Sequence, residues 1–188
     1  RTQGGNNNVY CQDNPTAWVD WDLDDDERDL LEFTRRLVQL RHDHPVFRRR
    51  RFFAGSADHG GESELGDIAW FTPTGEHMSD EDWRNGYARS LMVFLNGAAI
   101  PEPDRRGTRI VDDSFLVVFN GHHEEIDFEL PPVEYGQGWV PELDTTEAFV
   151  RVEVPEIAAE AGSGLKPGST LPVGPRSVVV LRAPRPTP

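Results

Sequence analysis

From residue 46 onward the chain consists of short apolar runs separated by turn residues. Seven such runs occur, at residues 68–71, 91–95, 115–119, 126–130, 139–143, 150–154 and 178–181. The runs at 126–130 and 150–154 alternate between apolar and other residues, which is typical of a strand with one buried face. Asn120 and Gly121 stand between two of the runs, and Asn-Gly is typical of a tight β-hairpin. The pattern therefore predicts an antiparallel β-sandwich.

The residues before this region predict one amphipathic helix, at about residues 24–43. Its start is rich in carboxylates, which are favoured at the positive end of a helix, and Pro45 stops it. Apolar side chains recur at spacings of three and four and form one stripe: Leu30, Leu31, Phe33, Leu37, Val38 and Leu40. Such a stripe needs a surface to cover.

Residues 1–21 have no apolar period and contain four asparagines, two glycines and two tryptophans, which predicts a long irregular loop. Loops of this length in compact domains are usually functional or disordered, and the aromatic residues argue for order. Side-chain amides both donate and accept hydrogen bonds, as sugar hydroxyls require. The same asparagines could equally bond to their own backbone and hold the loop together. Composition alone leaves both interpretations open.

Several stretches resemble one known family. These are RTQGGNNNVYCQDN followed by TAWVDW at the start, LRHDHPVFRRRRFF at 40–53, WFTPTGEHMSDEDW at 70–83, ARSLMVFLNG at 88–97 and PRSVVVLR at 175–182. Together they resemble the bacterial glycogen debranching enzymes of the isoamylase type, in the α-amylase superfamily. In that family the asparagine-rich loop follows the eighth strand of a catalytic (β/α)8 barrel, the next helix closes the barrel, and an all-β domain follows.

The resemblance implies a mostly β chain in two parts. Residues 1–45 would be the C-terminal end of the catalytic barrel, and residues 46–188 would be an all-β sandwich domain. The helix stripe would then face the barrel wall. Arg1 is not an initiator methionine and no strand precedes the loop, so we expect a fragment whose N-terminal barrel is missing.

By the same resemblance, the parent protein would hydrolyse the α-1,6 branch linkages of an α-glucan such as glycogen or limit dextrin. Glycoside hydrolysis needs two carboxyl groups that flank the scissile bond. None of the acidic pairs, such as Asp112/Asp113 or Glu124/Glu125, lies in a segment that resembles a catalytic motif of the family, so we expect no catalytic residue here. These pairs are interpreted as turns and solvated faces. The resemblance assigns substrate contact to the following residues of the opening loop: Asn6, Asn7, Asn8, Tyr10, Asp13 and Asn14. Pro15 stands where the family has an acidic or polar residue.

Three tryptophans carry separate expectations. Trp21 is predicted to pack, whereas Trp18 is equally suited to packing and to sugar binding. Ser79 and Asp82 have the spacing of a capping box and predict one short helical turn, after which Trp83 is expected to pack inward.

Charge and composition exclude several classes of partner. The net charge is −14 and the pI is about 4.7, which disfavours binding to nucleic acid or to an anionic membrane. The basic run at residues 48–51 is interpreted as a solvated strand edge or as a set of salt-bridge partners. A single cysteine, Cys11, excludes an internal disulfide and favours a cytoplasmic location.

We also expect no cofactor and no metal. No glycine-rich phosphate loop follows a strand, and no Cys/His spacing fits zinc. His122 and His123 are adjacent, and adjacent residues rarely converge on one ion.

Two other functions remain open at this point. A stand-alone carbohydrate-binding module would need exposed aromatic side chains on the sandwich. An acidic interaction module would use the apolar stripe of the helix to bind a partner.

Overall fold

The computed structural model describes residues 3–6, 8–10, 13–55, 65–86, 89–146 and 164–185. Helices α1 (Asp25–Asp43) and α2 (Asp80–Arg84) and seven strands lie in these residues. The strands are β1 (Ile68–Phe71), β2 (Ser90–Leu95), β3 (Ser114–Asn120), β4 (Ile126–Glu129), β5 (Val140–Asp144), β6 (Thr170–Val173) and β7 (Ser177–Ala183). Short 3₁₀ turns occur at Gln3–Gly5, Pro45–Arg48 and Gly97–Ala99.

Helix α1 begins and ends where its local sequence predicts. The carboxylate of Asp24 accepts the backbone N–H of Glu27, and the carboxylate of Glu27 accepts the N–H of Asp24, which completes a capping box. Arg41 and His42 lie in the last turn, where cations are favoured, and Pro45 begins the 3₁₀ turn that follows.

All strand pairs in the described residues are antiparallel. The larger sheet has five strands in the order β1-β2-β3-β7-β5, and the smaller sheet pairs β4 with β6. The main core cluster takes Met92, Leu116 and Leu181 from the larger sheet and Phe128 and Val173 from the smaller one. The mostly β, antiparallel part of the predicted fold is therefore confirmed.

The opposite face of the five-stranded sheet is also covered. Phe115 of β3 and Val180 of β7 belong to a second core cluster, against which Phe33 and Leu40 of α1 pack. Because successive residues of a strand face opposite sides, a strand buried on both faces is apolar along its whole length. This accounts for the continuous apolar run at residues 115–118 of β3.

The prediction of a β3–β4 hairpin is wrong. β3 pairs with β2 and β7, whereas β4 pairs only with β6 of the other sheet. Neither Asn120 nor Gly121 has the positive φ that a two-residue hairpin turn of this type requires. Asn120 is instead the buried last residue of β3, and its side chain is used to hold the turn that follows.

Two other differences concern the strands near the carboxyl end. The run at 150–154 lies outside the described residues. Strand β6 was not predicted, and it contains Pro172, which a strand tolerates at the edge of a sheet. β6 has only β4 as its partner, so the proline removes no bond from a central ladder.

Helix α2 has the predicted capping box between Ser79 and Asp82. Trp83 does not pack inward as expected, since 52% of it is exposed. Its ring meets that of Trp70 edge to face, with ring centroids 5.2 Å apart.

Candidate functional site

The described residues of the opening segment are organised by asparagine side chains that accept hydrogen bonds from the backbone two residues further on. The Oδ1 atom of Asn6 accepts the N–H of Asn8 at 2.9 Å, and that of Asn8 accepts the N–H of Tyr10 at 3.4 Å. The Oδ1 atom of Asn14 accepts the N–H of Thr16 at 3.0 Å. Each bond is an Asx turn, which gives an irregular chain a defined path. The interpretation that asparagines hold the loop together is therefore correct for these three residues.

Asp13 and Trp18 form a second contact within the segment. The indole Nε1 of Trp18 donates to Oδ1 of Asp13 at 2.7 Å, and the backbone N–H of Trp18 donates to the carbonyl of Asn14. This bond to a carboxylate is charge-assisted and orients the indole ring.

The segment nevertheless presents its large aromatic side chains to solvent. The exposed fraction is 92% for Tyr10, 57% for Trp18 and 75% for Trp21. The packing expected for Trp21 is therefore wrong in this chain. These three aromatic side chains are therefore available for contact with another molecule.

Five of the six residues assigned to substrate contact lie in the described part of the segment, and Asn7 lies outside it. Asn6, Asn8, Tyr10 and Asp13 are exposed and Asn14 is half-buried. The Asx turns join Asn6 to Asn8 and Asn8 to Tyr10.

Helix α1 follows this segment in the chain. The C-terminal end of the helix is attached to the β-strands by buried carboxylates. Asp112, just before β3, is 6% exposed. Its Oδ1 lies 2.8 Å from Nδ1 of His44, and its Oδ2 accepts the N–H of Val46 at 3.0 Å. The carbonyl of Glu142 accepts from Arg36 of α1 at 2.9 Å, which adds a second link between the helix and the sheet.

Two further acids hold the chain that follows α1. Oε1 of Glu102, 6% exposed, accepts the backbone N–H groups of Arg50 and Arg51. Asp67, 7% exposed, accepts from the N–H groups of Ala54 and Gly55 and from the guanidinium of Arg49. Three buried carboxylates, those of Asp67, Glu102 and Asp112, thereby bind the segment at 44–55 to residues that come later in the chain.

The interpretation of residues 48–51 as salt-bridge partners holds for Arg49. Its side chain is 3% exposed, lies 2.8 Å from Asp67, and places its guanidinium carbon 4.1 Å from the centre of the Phe53 ring. The alternative of a strand edge is wrong, since these residues form a 3₁₀ turn and an irregular segment. Sequence reasoning also missed Asp67 and Glu102, and it assigned Asp112 to a turn or a solvated face, because the partners of these acids are distant in sequence.

The surroundings of Asp67 and of Asp113 lower the pKa of each carboxyl group. Burial would raise the pKa of Asp67, but the N–H groups of Ala54 and Gly55 and the charge of Arg49 outweigh it, so the pKa is lowered. The pKa of Asp113 is also lowered. Burial opposes this shift, whereas the N–H of Arg185 and the guanidinium of Arg182 favour the carboxylate.

Arg182 links three elements of the fold. It contacts Asp113, which precedes β3, and Glu142 of β5. Burial would lower the pKa of Arg182, but the two carboxylates raise it above its ordinary value.

One group in the described residues has the composition of a metal site. His122, His123 and Glu124 each offer a ligand atom, and these atoms lie within 4.8 Å of one another. The expectation that adjacent histidines rarely converge on one ion stays a prediction, although the two side chains lie close together in this turn. Within the described part of the chain, no helix is both long enough and apolar enough to cross a membrane.

The fold places the chain in the class of mostly β proteins. It has two antiparallel sheets, preceded by a helix and by an exposed segment rich in amide and aromatic side chains. Comparison with known proteins then identifies the family. The family described as "Isoamylase, C-terminal" matches residues 67–182, and the chain belongs to it.

Named relatives extend the similarity to the opening segment. The chain is 48% identical over 182 residues to "Glycogen operon protein GlgX homolog" of Mycobacterium tuberculosis, covering 97% of this chain and 24% of the relative. It is 31% identical over 134 residues to "Glycogen debranching enzyme" of Enterobacter sp. strain 638, covering 71% and 16%. It is 30% identical over 146 residues to "Isoamylase" of Flavobacterium sp., covering 77% and 17%. The chain thus spans about a quarter or less of the length of these relatives.

Among solved structures, "Pullulanase from Bacillus acidopullulyticus" is similar with a TM-score of 0.49 and 15% identity, over 97% of this chain and 17% of that one.

Proposed function

We propose that this chain is the C-terminal part of a hydrolase that cleaves α-1,6-glucosidic branch linkages in glycogen or limit dextrin. Residues 1–45 would complete a catalytic (β/α)8 barrel and residues 46–188 would form its β-sandwich domain. Membership of the isoamylase C-terminal family and the names of the relatives support this proposal. The catalytic carboxylates would then lie in the barrel portion of the longer protein.

The observation that carries the proposal is the exposed surface of the opening segment. Tyr10 is almost fully exposed, and Asx turns join Asn8 to Asn6 and to Tyr10. Since these turns use the asparagine oxygens as acceptors, the amide N–H groups of the same side chains are suited to donate to sugar hydroxyls. In barrel enzymes the loops after the strands line the substrate site, which is where this segment would lie.

Asp13 and Trp18 extend the same surface. The carboxylate orients the indole, so that a flat apolar ring stands next to hydrogen-bonding groups. Sugars offer both an apolar face and hydroxyl groups, and this pairing suits both. In this role Asn6, Asn7 and Asn14 complete one wall of the glucan cleft.

Helix α1 supports the assignment of residues 1–45 to a barrel. Phe33 and Leu40 pack on the β domain, whereas Leu30, Leu37 and Val38 are 50%, 37% and 63% exposed. The helix therefore has an apolar flank that the β domain does not cover. In the proposed arrangement the rest of the barrel covers this flank, and the β domain stabilises the barrel by holding the opposite side of the helix.

The experiment uses the full-length protein and measures release of linear chains from glycogen and from limit dextrin. Linear α-1,4-glucan, which has no branch linkage, serves as the negative substrate. Activity on the branched substrates, without activity on the linear glucan, supports the proposed reaction. Equal activity on the linear glucan, or none on either branched substrate, would contradict it.

Two variants test the cleft wall. Asn8→Asp keeps the oxygen that accepts the N–H of Tyr10 and removes the amide donor, and Tyr10→Phe removes only the hydroxyl. Each should lower kcat/KM by about 5- to 150-fold, which corresponds to about 1–3 kcal/mol for a lost partner. Trp83→Ala is the matched control, because this exposed aromatic lies in the β domain.

An unchanged kcat/KM in both loop variants would contradict the proposal that the segment binds substrate. If Trp83→Ala instead weakened retention on glycogen while the loop variants did not, the alternative of a carbohydrate-binding module would be favoured.

A further inference from the structure

His122, His123 and Glu124 lie together in the turn after β3. Nδ1 of His122 is 4.0 Å from Oε2 of Glu124, and Nε2 of His123 is 3.9 Å from Oε1 of the same carboxylate. The two imidazole rings are 4.2 Å apart between centroids. The three side chains thus present two nitrogen atoms and a carboxylate to one small volume.

The backbone that carries these side chains is fixed from within the core. Asn120 is 1% exposed, and its Oδ1 accepts the N–H of His122 at 2.9 Å. Its Nδ2 donates to the carbonyl of Glu124 at 2.9 Å, and the N–H of Arg176 donates to the carbonyl of His122 at 3.0 Å. Both ends of the three-residue group are therefore held in place, while its side chains remain accessible.

Nδ1 of His122 is already a hydrogen-bond acceptor. The backbone N–H of Glu124 donates to it at 3.2 Å. A metal ion bound to this nitrogen would replace this long hydrogen bond.

We propose that His122, His123 and Glu124 bind one divalent transition-metal ion of the Zn²⁺ type, with water completing its coordination. Imidazole nitrogen with carboxylate oxygen suits Zn²⁺, whereas Ca²⁺ and Mg²⁺ prefer sites built of oxygen atoms. Metal–ligand bonds of about 2.0–2.1 Å in a tetrahedron set the ligand atoms about 3.4 Å apart. The three candidate ligand atoms lie within 4.8 Å of one another, so they would have to approach by up to about 1.4 Å. His123 and Glu124 are 62% and 72% exposed and can rotate to close that difference.

The metal group and the attachment of α1 lie at opposite ends of β3. This strand begins next to Asp113 and the attachment of α1, and the metal group follows its other end. A seven-residue strand spans about 20 Å, which separates the two regions.

The test is calorimetric titration of the full 188-residue chain, without an affinity tag, with ZnCl₂ in a buffer that does not bind metals. We expect one Zn²⁺ per chain. His123→Ala and Glu124→Gln should each weaken binding at least tenfold, and MgCl₂ and CaCl₂ should show no binding at the same concentrations. His42→Ala is the control, since His42 is also exposed and next to a carboxylate, that of Asp43, but has no third ligand among the residues that the structure describes.

Thermal unfolding in the absence of metal verifies that each variant is folded. Addition of Zn²⁺ should raise the Tm of the wild type and leave that of His123→Ala unchanged, because a ligand that binds the folded state stabilises it. Absence of saturable Zn²⁺ binding would overturn the proposal. Equal weakening by His42→Ala and His123→Ala would do the same, since it indicates binding without a defined site.

Discussion

Nδ1 of His44 lies 2.8 Å from Oδ1 of Asp112 and joins the end of α1 to the start of β3. The imidazole ring also meets the Phe115 ring edge to face, with centroids 4.7 Å apart. The other oxygen of Asp112 accepts the N–H of Val46. One buried carboxylate therefore sets where the helix leaves the β domain, and with it the position of the segment that we assign to the cleft.

Asp112→Ala should lower the free energy of unfolding by about 3 kcal/mol, because it leaves buried donors without an acceptor. Asp112→Asn retains one acceptor oxygen and should cost less. Urea denaturation measures both. Asp127→Ala, at an exposed position of β4, is the control and should change stability by less than about 0.5 kcal/mol. Equal losses at positions 112 and 127 would contradict the attachment role.

Stability should fall as the pH falls below about 4. The pKa values of Asp67 and Asp113 are lower in the folded chain than their ordinary value of about 3.9. Groups of this kind stabilise the fold above the unfolded pKa, and the contribution is lost as the pH drops through the folded pKa. Urea denaturation at pH 7, 5, 4 and 3 measures the decline. Asp67→Asn should show a shallower decline than the wild type, and parallel curves would contradict this assignment.

Phe33→Ala should destabilise the chain by about 2 kcal/mol, since its ring packs on the second core cluster and is only partly exposed. Val38→Ala, on the exposed flank of α1, should change the stability of this chain by less than about 0.5 kcal/mol. In the full-length protein the same Val38 variant should cost about 1 kcal/mol, because the proposed barrel would bury it. An identical, negligible effect of Val38→Ala in both lengths would contradict the packing of this flank against a barrel.

Asn120→Ala should cost at least about 3 kcal/mol. The buried amide serves Ser90, His122, Glu124, Val173 and Gly174 at once, and its loss leaves several buried groups without partners. Chemical denaturation measures the loss, with the exposed Glu125→Ala as the comparison. A cost below about 1 kcal/mol would show that the network does not stabilise this end of the sheet.

Gly97→Ala should also be strongly destabilising, by about 1–3 kcal/mol. A Cβ at this position would overlap the carbonyl oxygens of Asp112 and Asp113, which are backbone atoms and cannot rotate away. Gly86→Ala is the matched control, because none of the residues that the structure describes lies within 4 Å of the Cβ it would add. Thermal unfolding of the two variants distinguishes them, and equal Tm values would contradict the close approach.

Local signals predicted much of the secondary structure. The bounds of α1 follow from Asp24, Glu27 and Pro45, and the start of α2 follows from Ser79 and Asp82, because capping bonds join residues only three apart. The apolar runs likewise predicted the strands β1 to β5 and β7. The hairpin and β6 could not be predicted in this way, because pairing depends on partners distant in sequence: β3 on β7, and β4 on β6.

The candidate site was likewise predicted in part from local sequence and decided in part by the tertiary structure. Four asparagines in a short segment indicated side chains that bond either to sugar or to the backbone, and the structure shows the backbone bonds while leaving Tyr10 exposed. The substrate contacts and the division at residue 45 stay predictions. The convergence of His122, His123 and Glu124 was not expected from sequence, because it depends on the amide of Asn120 beneath the turn.

By itself, the sequence determined the helix, most strands, the antiparallel β class and the resemblance to isoamylase-type debranching enzymes, since these follow from interactions between near neighbours or from short motifs. Tertiary structure alone decided which acids are buried and what they bind. Asp67, Glu102 and Asp112 have the same chemistry as the many solvated acids of this chain. A carboxylate can be buried only where donors from elsewhere in the chain surround it, and folding is what brings those donors within reach.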